Sequence, residues 1–505
     1  MISMPSRLLG RGARVAASWS AEERDAVLYA ASALFAIVTA QGSSIALYRQ
    51  WGWLAFGPYA LGSLASAIAA RRARRRAETA AENPGLAGAT TAAAPSWHWT
   101  TSRTVIFLVV FVGATLGPLA LEVLWQTDTG GTAHVQPETL VIQGAGTRLA
   151  HHQPLYRDID GHNERVSAPA GQPAYDVYNP YLPLMSVFGL PSSTDAPRRI
   201  TDARVAFSLI TILVVVAALT MCRGPTGPRV LSLQAMTVFP TAALPLATGG
   251  DDLPIAAFLL LGLVLLQRRR PLAAGIVLGV AASMKVTAWP LAFLALLVAT
   301  DRDGQRGRRP SLWFVAGLAG VMIPSILPTF VGNPAAFIDN VVRFPLGLAG
   351  ITSPAASPLL GHAIVSWFPG IHRLFTAGVA AAGGLILLFV LIRHTPRTPA
   401  DLSRLIGWVM AIAIVVAPAT RIGYLLYPVD FFIWSWLLKG EALAQIAPSP
   451  VEDAADLELE PVAVSGDQSS SVTANSLKVN GVLSAPALAP VPKVVGATVT
   501  PSSHS

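Results

Sequence analysis

Charge is scarce in this chain. Acidic and basic residues make up 13% of its 505 positions, about half the share usual in a soluble domain. Lysine is scarcer still, standing only at positions 285, 439, 478 and 493, so arginine carries nearly all the positive charge. The single cysteine, Cys222, excludes a disulfide framework and a multi-cysteine metal centre. It reads as a small apolar side chain at a helix end. No P-loop, GxGxxG or Ser-His-Asp arrangement stands out, which argues against nucleotide-driven chemistry. No cleavable signal peptide is expected either. The first apolar run, 26–48, is too long for a signal core and has no clear small-residue cleavage site.

Apolar residues fill the space that charge leaves. They are 52% of the chain and fall into runs near 26–48, 51–70, 104–124, 204–222, 230–247, 253–267, 271–284, 286–300, 311–331, 373–393, 404–418 and 422–438. A span needs about 20 apolar residues, fewer where protein shelters the helix, so the runs predict about eleven or twelve spans. The count depends on whether 271–300 is one kinked helix or two short ones meeting at Lys285. The expected fold class is therefore all-α, a multi-pass transmembrane helical bundle with large loops at 125–203 and 332–372. A two-helix hairpin at 1–76 precedes it, followed by a flexible cytoplasmic linker at 77–103. The core is expected at 104–438. The Ser/Pro/Ala/Val-rich tail 439–505, acidic at its start, cannot bury a core and is expected to be disordered. No internal repeat of fixed period is visible, and no inverted repeat of the transporter kind.

The net charge of +8 does not point to nucleic acid, because the arginines sit at span ends, as orientation signals do. Arg7, Arg11 and Arg14 precede the first run, and Arg71, Arg72, Arg74, Arg75 and Arg76 close the second. Arg223, Arg229, Arg268, Arg269, Arg270, Arg302, Arg306, Arg308, Arg309, Arg393, Arg397 and Arg404 fall on the same side if 271–300 is a hairpin. That side is read as cytoplasmic, with both termini on it. High Ala, Gly, Pro and Arg usage suggests a GC-rich bacterial genome, hence a bacterial plasma membrane with membrane lipids as surroundings.

Two cations break this order. Lys285 and Arg421 fall at span ends on the opposite side, and a misplaced cation in a membrane protein is a functional-site hypothesis by default. Lys285 could instead snorkel to an interface; Arg421 could be an interfacial anchor or a partner for Asp430. The same side holds the turn Gly249-Gly250-Asp251-Asp252 before Pro254. That turn reads either as a solvated helix cap or as sugar-hydroxyl recognition, metal ligation or a general base. Adjacent side chains often point apart, so one of the two carboxylates is expected to face a site. Glu138, near Pro137, opens a short helix in loop 125–203; it is a candidate base or an ordinary helix N-terminal acid. Asp128 is a second candidate. Tyr178, Asn179 and Tyr181 lie in a proline-bent aromatic stretch that reads as an interfacial anchor or as a wall for a sugar or prenyl group, and Tyr424 follows Arg421. His134, His151, His152 and His162 lack the spacing of a metal site, so no metal or cofactor is expected.

The order of these pieces resembles the polytopic, polyprenyl-phosphate-sugar-dependent glycosyltransferases of the GT-C class, in particular glycosyltransferase family 87 and its mannosyltransferases. The resemblance rests on four elements across 104–438. They are the acidic opening of the outer loop before Pro154-Leu155-Tyr156, the element Tyr178-Asn-Pro-Tyr-Leu-Pro183, the turn Gly249-Gly-Asp-Asp-Leu-Pro254, and Ala274-Gly-Ile-Val-Leu-Gly-Val-Ala-Ala-Ser-Met-Lys285. The family usually places Asp where Glu138 stands. The resemblance implies a GT-C-like core that moves a sugar, mannose in those relatives, from a polyprenyl phosphate donor to a lipid or glycan acceptor hydroxyl at the extracytoplasmic face. Such a reaction needs a carboxylate to take the acceptor proton, for which Glu138, Asp251 and Asp252 are the candidates. It also needs cations on the donor phosphate, for which Lys285 and Arg421 are the candidates. The rival readings are a transporter or flippase for a lipid-linked or polar solute, and a membrane assembly protein without chemistry.

Overall fold

The computed structural model describes residues 19–82, 100–129, 133–157, 174–299, 309–349, 351, 355–357 and 359–446. The N-terminal arginines Arg7, Arg11 and Arg14, His162, Arg302, Arg306, Arg308 and the tail beyond 446 lie outside the described residues. The chain is α-helical, with no strand among the described residues apart from one isolated bridge between Ala356 and Thr420. In order the helices are α1 (Ala21–Gly42), α2 (Ala46–Glu82), α3 (Thr101–Phe111), α4 (Gly117–Thr129), α5 (Pro137–Ala150), α6 (Arg198–Thr201), α7 (Ala203–Thr220), α8 (Thr226–Thr237), α9 (Pro240–Thr248) and α10 (Asp252–Gln267). They continue with α11 (Pro271–Ala282), α12 (Trp289–Leu294), α13 (Leu296–Ala299), α14 (Arg309–Gly332), α15 (Pro334–Ile338), α16 (Leu360–Trp367), α17 (His372–Arg393), α18 (Pro399–Val416) and α19 (Leu426–Ile446). Among the described residues, 8 helical stretches are long and apolar enough to cross a membrane. The chain is a multi-pass membrane protein.

The expected runs map onto these helices with three changes of boundary. The first span is displaced toward the N-terminus, to α1, where the Ser20–Glu23 capping box starts the helix. α2 does not stop at residue 70. It continues through the arginines to Glu82, beyond the position where the linker was expected to begin, with Arg74 paired to Glu23. The last is at α19, which stays helical to Ile446, past position 439 where the disordered tail was expected to begin. The stretch 271–300 is two short segments: α11 ends at Ala282, Lys285 is extended, and a 3-10 turn, Val286–Ala288, leads into α12.

α10 is the centre of the bundle. Nearly every side chain from Leu253 to Leu266 is buried, so it is apolar on all faces and shows no solvent stripe. Its 16 residues cover about 24 Å, less than the roughly 30 Å of a bilayer core. With Arg268, Arg269 and Arg270 at its C-terminal end, its N-terminal end, carrying Asp251 and Asp252, is recessed within the surrounding helices. The Thr226–Thr248 span breaks between α8 and α9, where Pro240 ends the hydrogen-bond ladder. Neighbours take up the freed carbonyls: Thr115 donates to Thr237 O at 2.8 Å, and Tyr59 donates to Val238 O.

Candidate active site

Four chain breaks meet at the recessed end of α10. α9 ends at Gly249, whose φ of 109° is left-handed and suits glycine alone among common residues. A Cβ there would stand 2.0 Å from Thr139 Oγ1. The hydroxyl of Thr139 donates to Gly249 O at 3.1 Å, locking the turn to the start of α5. Gln136 strengthens that lock: its amide donates to Thr248 O at 2.9 Å and its side chain to Thr248 Oγ1 at 2.7 Å and to Tyr48 Oη at 3.1 Å. The stretch 178–184 clips onto the Lys285 turn through Leu182 N to Met284 O at 2.9 Å and Leu184 N to Ser283 O at 3.0 Å. Residues far apart in sequence are thereby fixed by backbone and short polar links before any long side chain is placed.

Lys285 points into this junction and is 8% exposed. Its ammonium donates to Asp251 Oδ2 at 3.0 Å and to Asp252 Oδ1 at 2.7 Å. Both carboxylates face the same cation, which corrects the expectation that only one would. Tyr427 donates its hydroxyl to the same Asp252 oxygen at 2.7 Å and is itself 3.1 Å from the Thr287 hydroxyl. The rings of Tyr181 and Tyr424 stand 5.5 and 5.4 Å from Lys285 Nζ, within cation–π range. Lys285 therefore does not snorkel to open water.

Arg421 forms the second pair, with Glu138 in the first turn of α5. It does not pair with Asp430, which was one reading of its place in the sequence. Asp430 is buried on α19, and among the described residues neither of its carboxylate oxygens has a hydrogen-bond partner. Tyr424 links the two pairs electrostatically, feeling both Lys285 and Arg421, and the charge of Glu138 acts on Asp251.

The charges shape one another. Burial pushes the Asp251 carboxyl up to about 6, against the pull of Lys285 and with the push of Asp252. Burial works against the Lys285 charge, but Asp251 and Asp252 outweigh it and raise its pKa well above the ordinary lysine value. Arg421 is likewise held in its charged form by Glu138 despite burial. Burial raises Asp176, in the turn Ala174–Val177, with Glu138 adding to the effect. The buried hydroxyls of Ser283 and Thr420, each close in sequence to one of the two cations, have no hydrogen-bond partner among the described residues.

The structure thus brings Glu138, Asp251, Asp252, Lys285, Arg421, Tyr181 and Tyr424 together. Tyr178 and Asn179 are buried beside them in supporting positions: Tyr178 stacks on Phe344 at 4.6 Å, and Asn179 accepts from Tyr181 N at 3.3 Å. Asp128 is exposed and 3.5 Å from Arg199, and His134 is 2.9 Å from the buried Glu122. No group of three His, Cys, Asp or Glu able to hold a metal occurs among the described residues. Sequence reasoning gave no role to Tyr427, Thr287 or Tyr48. Tyr427 had one available signal, its spacing of three residues from Tyr424 within the apolar run 422–438.

Comparison with curated proteins and with solved structures finds no match. A family model does match: residues 180–418, which include Tyr181, Asp251, Asp252 and Lys285, fit glycosyltransferase family 87. Over those residues the chain is similar to glycosyltransferase family 87, and its apolar helices are those of a multi-pass membrane protein.

Proposed function

We propose that the chain moves a sugar, mannose on the family resemblance, from a polyprenyl phosphate donor to an acceptor hydroxyl at the extracytoplasmic face. The observation that carries this reading is the convergence of two cations and three carboxylates beneath tyrosine rings, at the end of the bundle opposite most span-end arginines. The positive-inside rule favours a cytoplasmic arginine-rich end, which supports an extracytoplasmic place for the cluster.

Glu138 acts as general base in this reading. It takes the acceptor proton while the acceptor oxygen attacks the anomeric carbon. The bond from that carbon to the phosphate oxygen breaks, and the polyprenyl phosphate leaves with the electron pair. The phosphate then carries more negative charge than it did as a diester, so cations placed on it stabilise the transition state more than the bound donor. An ammonium has three N–H donors, and Asp251 and Asp252 occupy two of those of Lys285. The third, with the remaining N–H groups of Arg421, is available to a phosphate. A phosphate on Arg421 competes with Glu138 for that cation and frees the carboxylate to accept a proton. Asp251 and Asp252 hold Lys285 in place, and the unpartnered hydroxyls of Ser283 and Thr420 offer donors to sugar oxygens. The prenyl chain requires a path open to lipid beside the cluster.

The test is transfer of label from a radiolabelled polyprenyl-phosphate sugar in isolated membranes, together with a topology reporter fused at Gly250. A labelled glycan product with wild type, none with E138Q at equal expression, and an extracytoplasmic reporter are expected. Gradient-dependent uptake into proteoliposomes with no glycosylated product would favour a transporter and overturn this reading.

A further inference from the structure

At the opposite end of the bundle, the link between α17 and α18 borders an open cavity of about 560 Å³. Arg393, His394, Arg397 and Arg404 line it, with Asp401 as its single carboxylate and Trp408 in its wall. The aspartate is already engaged. It accepts from the Thr398 hydroxyl at 2.9 Å, lies 3.4 Å from Arg404, and sits in the first turn of α18, where the helix dipole favours an anion. Arg393 lies over the Phe389 ring at 5.1 Å, a contact that leaves its N–H groups available. Among the described residues, the cavity lining therefore holds more positive charge than its carboxylate balances.

Its surroundings are those of a membrane interface. Trp408 is 59% exposed and Ile392 is 71% exposed at the rim, and α17 is hardly packed against the other described residues, an apolar surface suited to lipid. An apolar rim with a tryptophan at its edge and arginines inside suits a ligand whose phosphate is anionic and whose tails stay in the bilayer.

We infer that this cavity binds the phosphate headgroup of an anionic membrane lipid, at the end of the bundle remote from the candidate active site. It is distinct from the proposed donor site and does not depend on the assigned reaction. The shared chemistry is a phosphate monoanion or diester. The apolar rim selects the lipid form over free phosphate.

The test uses the full-length protein in neutral detergent, titrated with phosphatidylglycerol, phosphatidylcholine or inorganic phosphate and read by native mass spectrometry. Saturable binding of phosphatidylglycerol is expected, with no displacement by millimolar inorganic phosphate or by phosphatidylcholine. R397Q should weaken it about fivefold, the share of one arginine near an anionic lipid surface, and R397Q/R404Q should weaken it further. R397K/R404K, which keeps the charge, should retain most of the binding and so separates loss of charge from loss of fold. Equal binding by wild type and R397Q/R404Q would overturn the assignment, as would equal binding of both lipids. Binding of inorganic phosphate without phosphatidylglycerol would overturn the lipid source.

Discussion

Replacing Lys285 by methionine keeps most of the side-chain volume and removes one charge. The consequence follows from the geometry of the two carboxylates. Their oxygens lie 3.0 and 2.7 Å from the same nitrogen, so they are no more than 5.7 Å apart, the sum of those distances. At an effective dielectric constant of about 20, two like charges at that separation repel by at least about 3 kcal/mol. Breaking a buried pair by removing one partner costs about 3–5 kcal/mol in general, and the two figures agree. The loss should depend on pH in a defined direction. Asp251 already binds its proton more tightly in the folded chain than in the unfolded one, and removing the lysine strengthens that. A carboxyl with a raised folded pKa contributes stability at low pH and loses it as pH rises through the folded value. K285M should therefore lose about 3–5 kcal/mol at pH 8 and regain about 1.4 kcal/mol per unit as pH falls through the new pKa. The assay is SDS-induced unfolding in mixed micelles, followed by tryptophan fluorescence; Trp51 and Trp434 are fully buried reporters. K285M/D251N should recover much of the loss, since only one carboxylate then remains. An equal loss at pH 5 and pH 8, with no recovery in the double variant, would refute the reasoning.

Three further outcomes follow from the same site. Y427F removes the bond to Asp252, about 0.5–1.5 kcal/mol, and should slow transfer up to about tenfold with little effect on folding; an unchanged rate would show that Asp252 needs no such support. Sugar transfer should rise with pH through about 6, because Asp251 must be ionised to hold Lys285 and its carboxyl is raised to about 6; a profile flat between pH 5 and 7 would contradict this. G249A combines a left-handed φ with a Cβ 2.0 Å from Thr139 Oγ1, and should cost about 1–3 kcal/mol in unfolding assays while displacing α5 and with it Glu138; a fully stable and active G249A would show that the turn has another conformation available.

Much of the bundle was legible because the periodic apolar runs and the arginines at their ends are local features. Lys285 and Arg421 were visible for the opposite reason, as cations on the wrong side of that pattern. What the sequence could not show was the pairing. Glu138 and Arg421 are 283 residues apart and Asp252 and Tyr427 are 175 apart, so no local spacing rule connects them. Asp430 is nearer to Arg421 in sequence and has charge of the right sign, yet it is buried on α19 while Arg421 pairs with Glu138. The direction of both aspartates toward one lysine was equally hidden. It depends on the left-handed Gly249 and on the start of α10 immediately after Asp251, and a glycine pair alone does not specify that geometry. The end of α2 was misplaced because arginines are good helix formers, and charge at the end of an apolar run marks where the membrane stops, with no bearing on where the helix does.

The most direct measurement is single-turnover transfer by the purified protein, with a labelled polyprenyl-phosphate sugar as donor and matched thermal stability of wild type and E138Q established first. Wild type should form labelled product, and E138Q should be slower by about two to four orders of magnitude, the usual contribution of a general base. Transfer by E138Q at the wild-type rate would remove Glu138 from the chemistry, and absence of any product with the wild-type protein would contradict the proposed reaction itself.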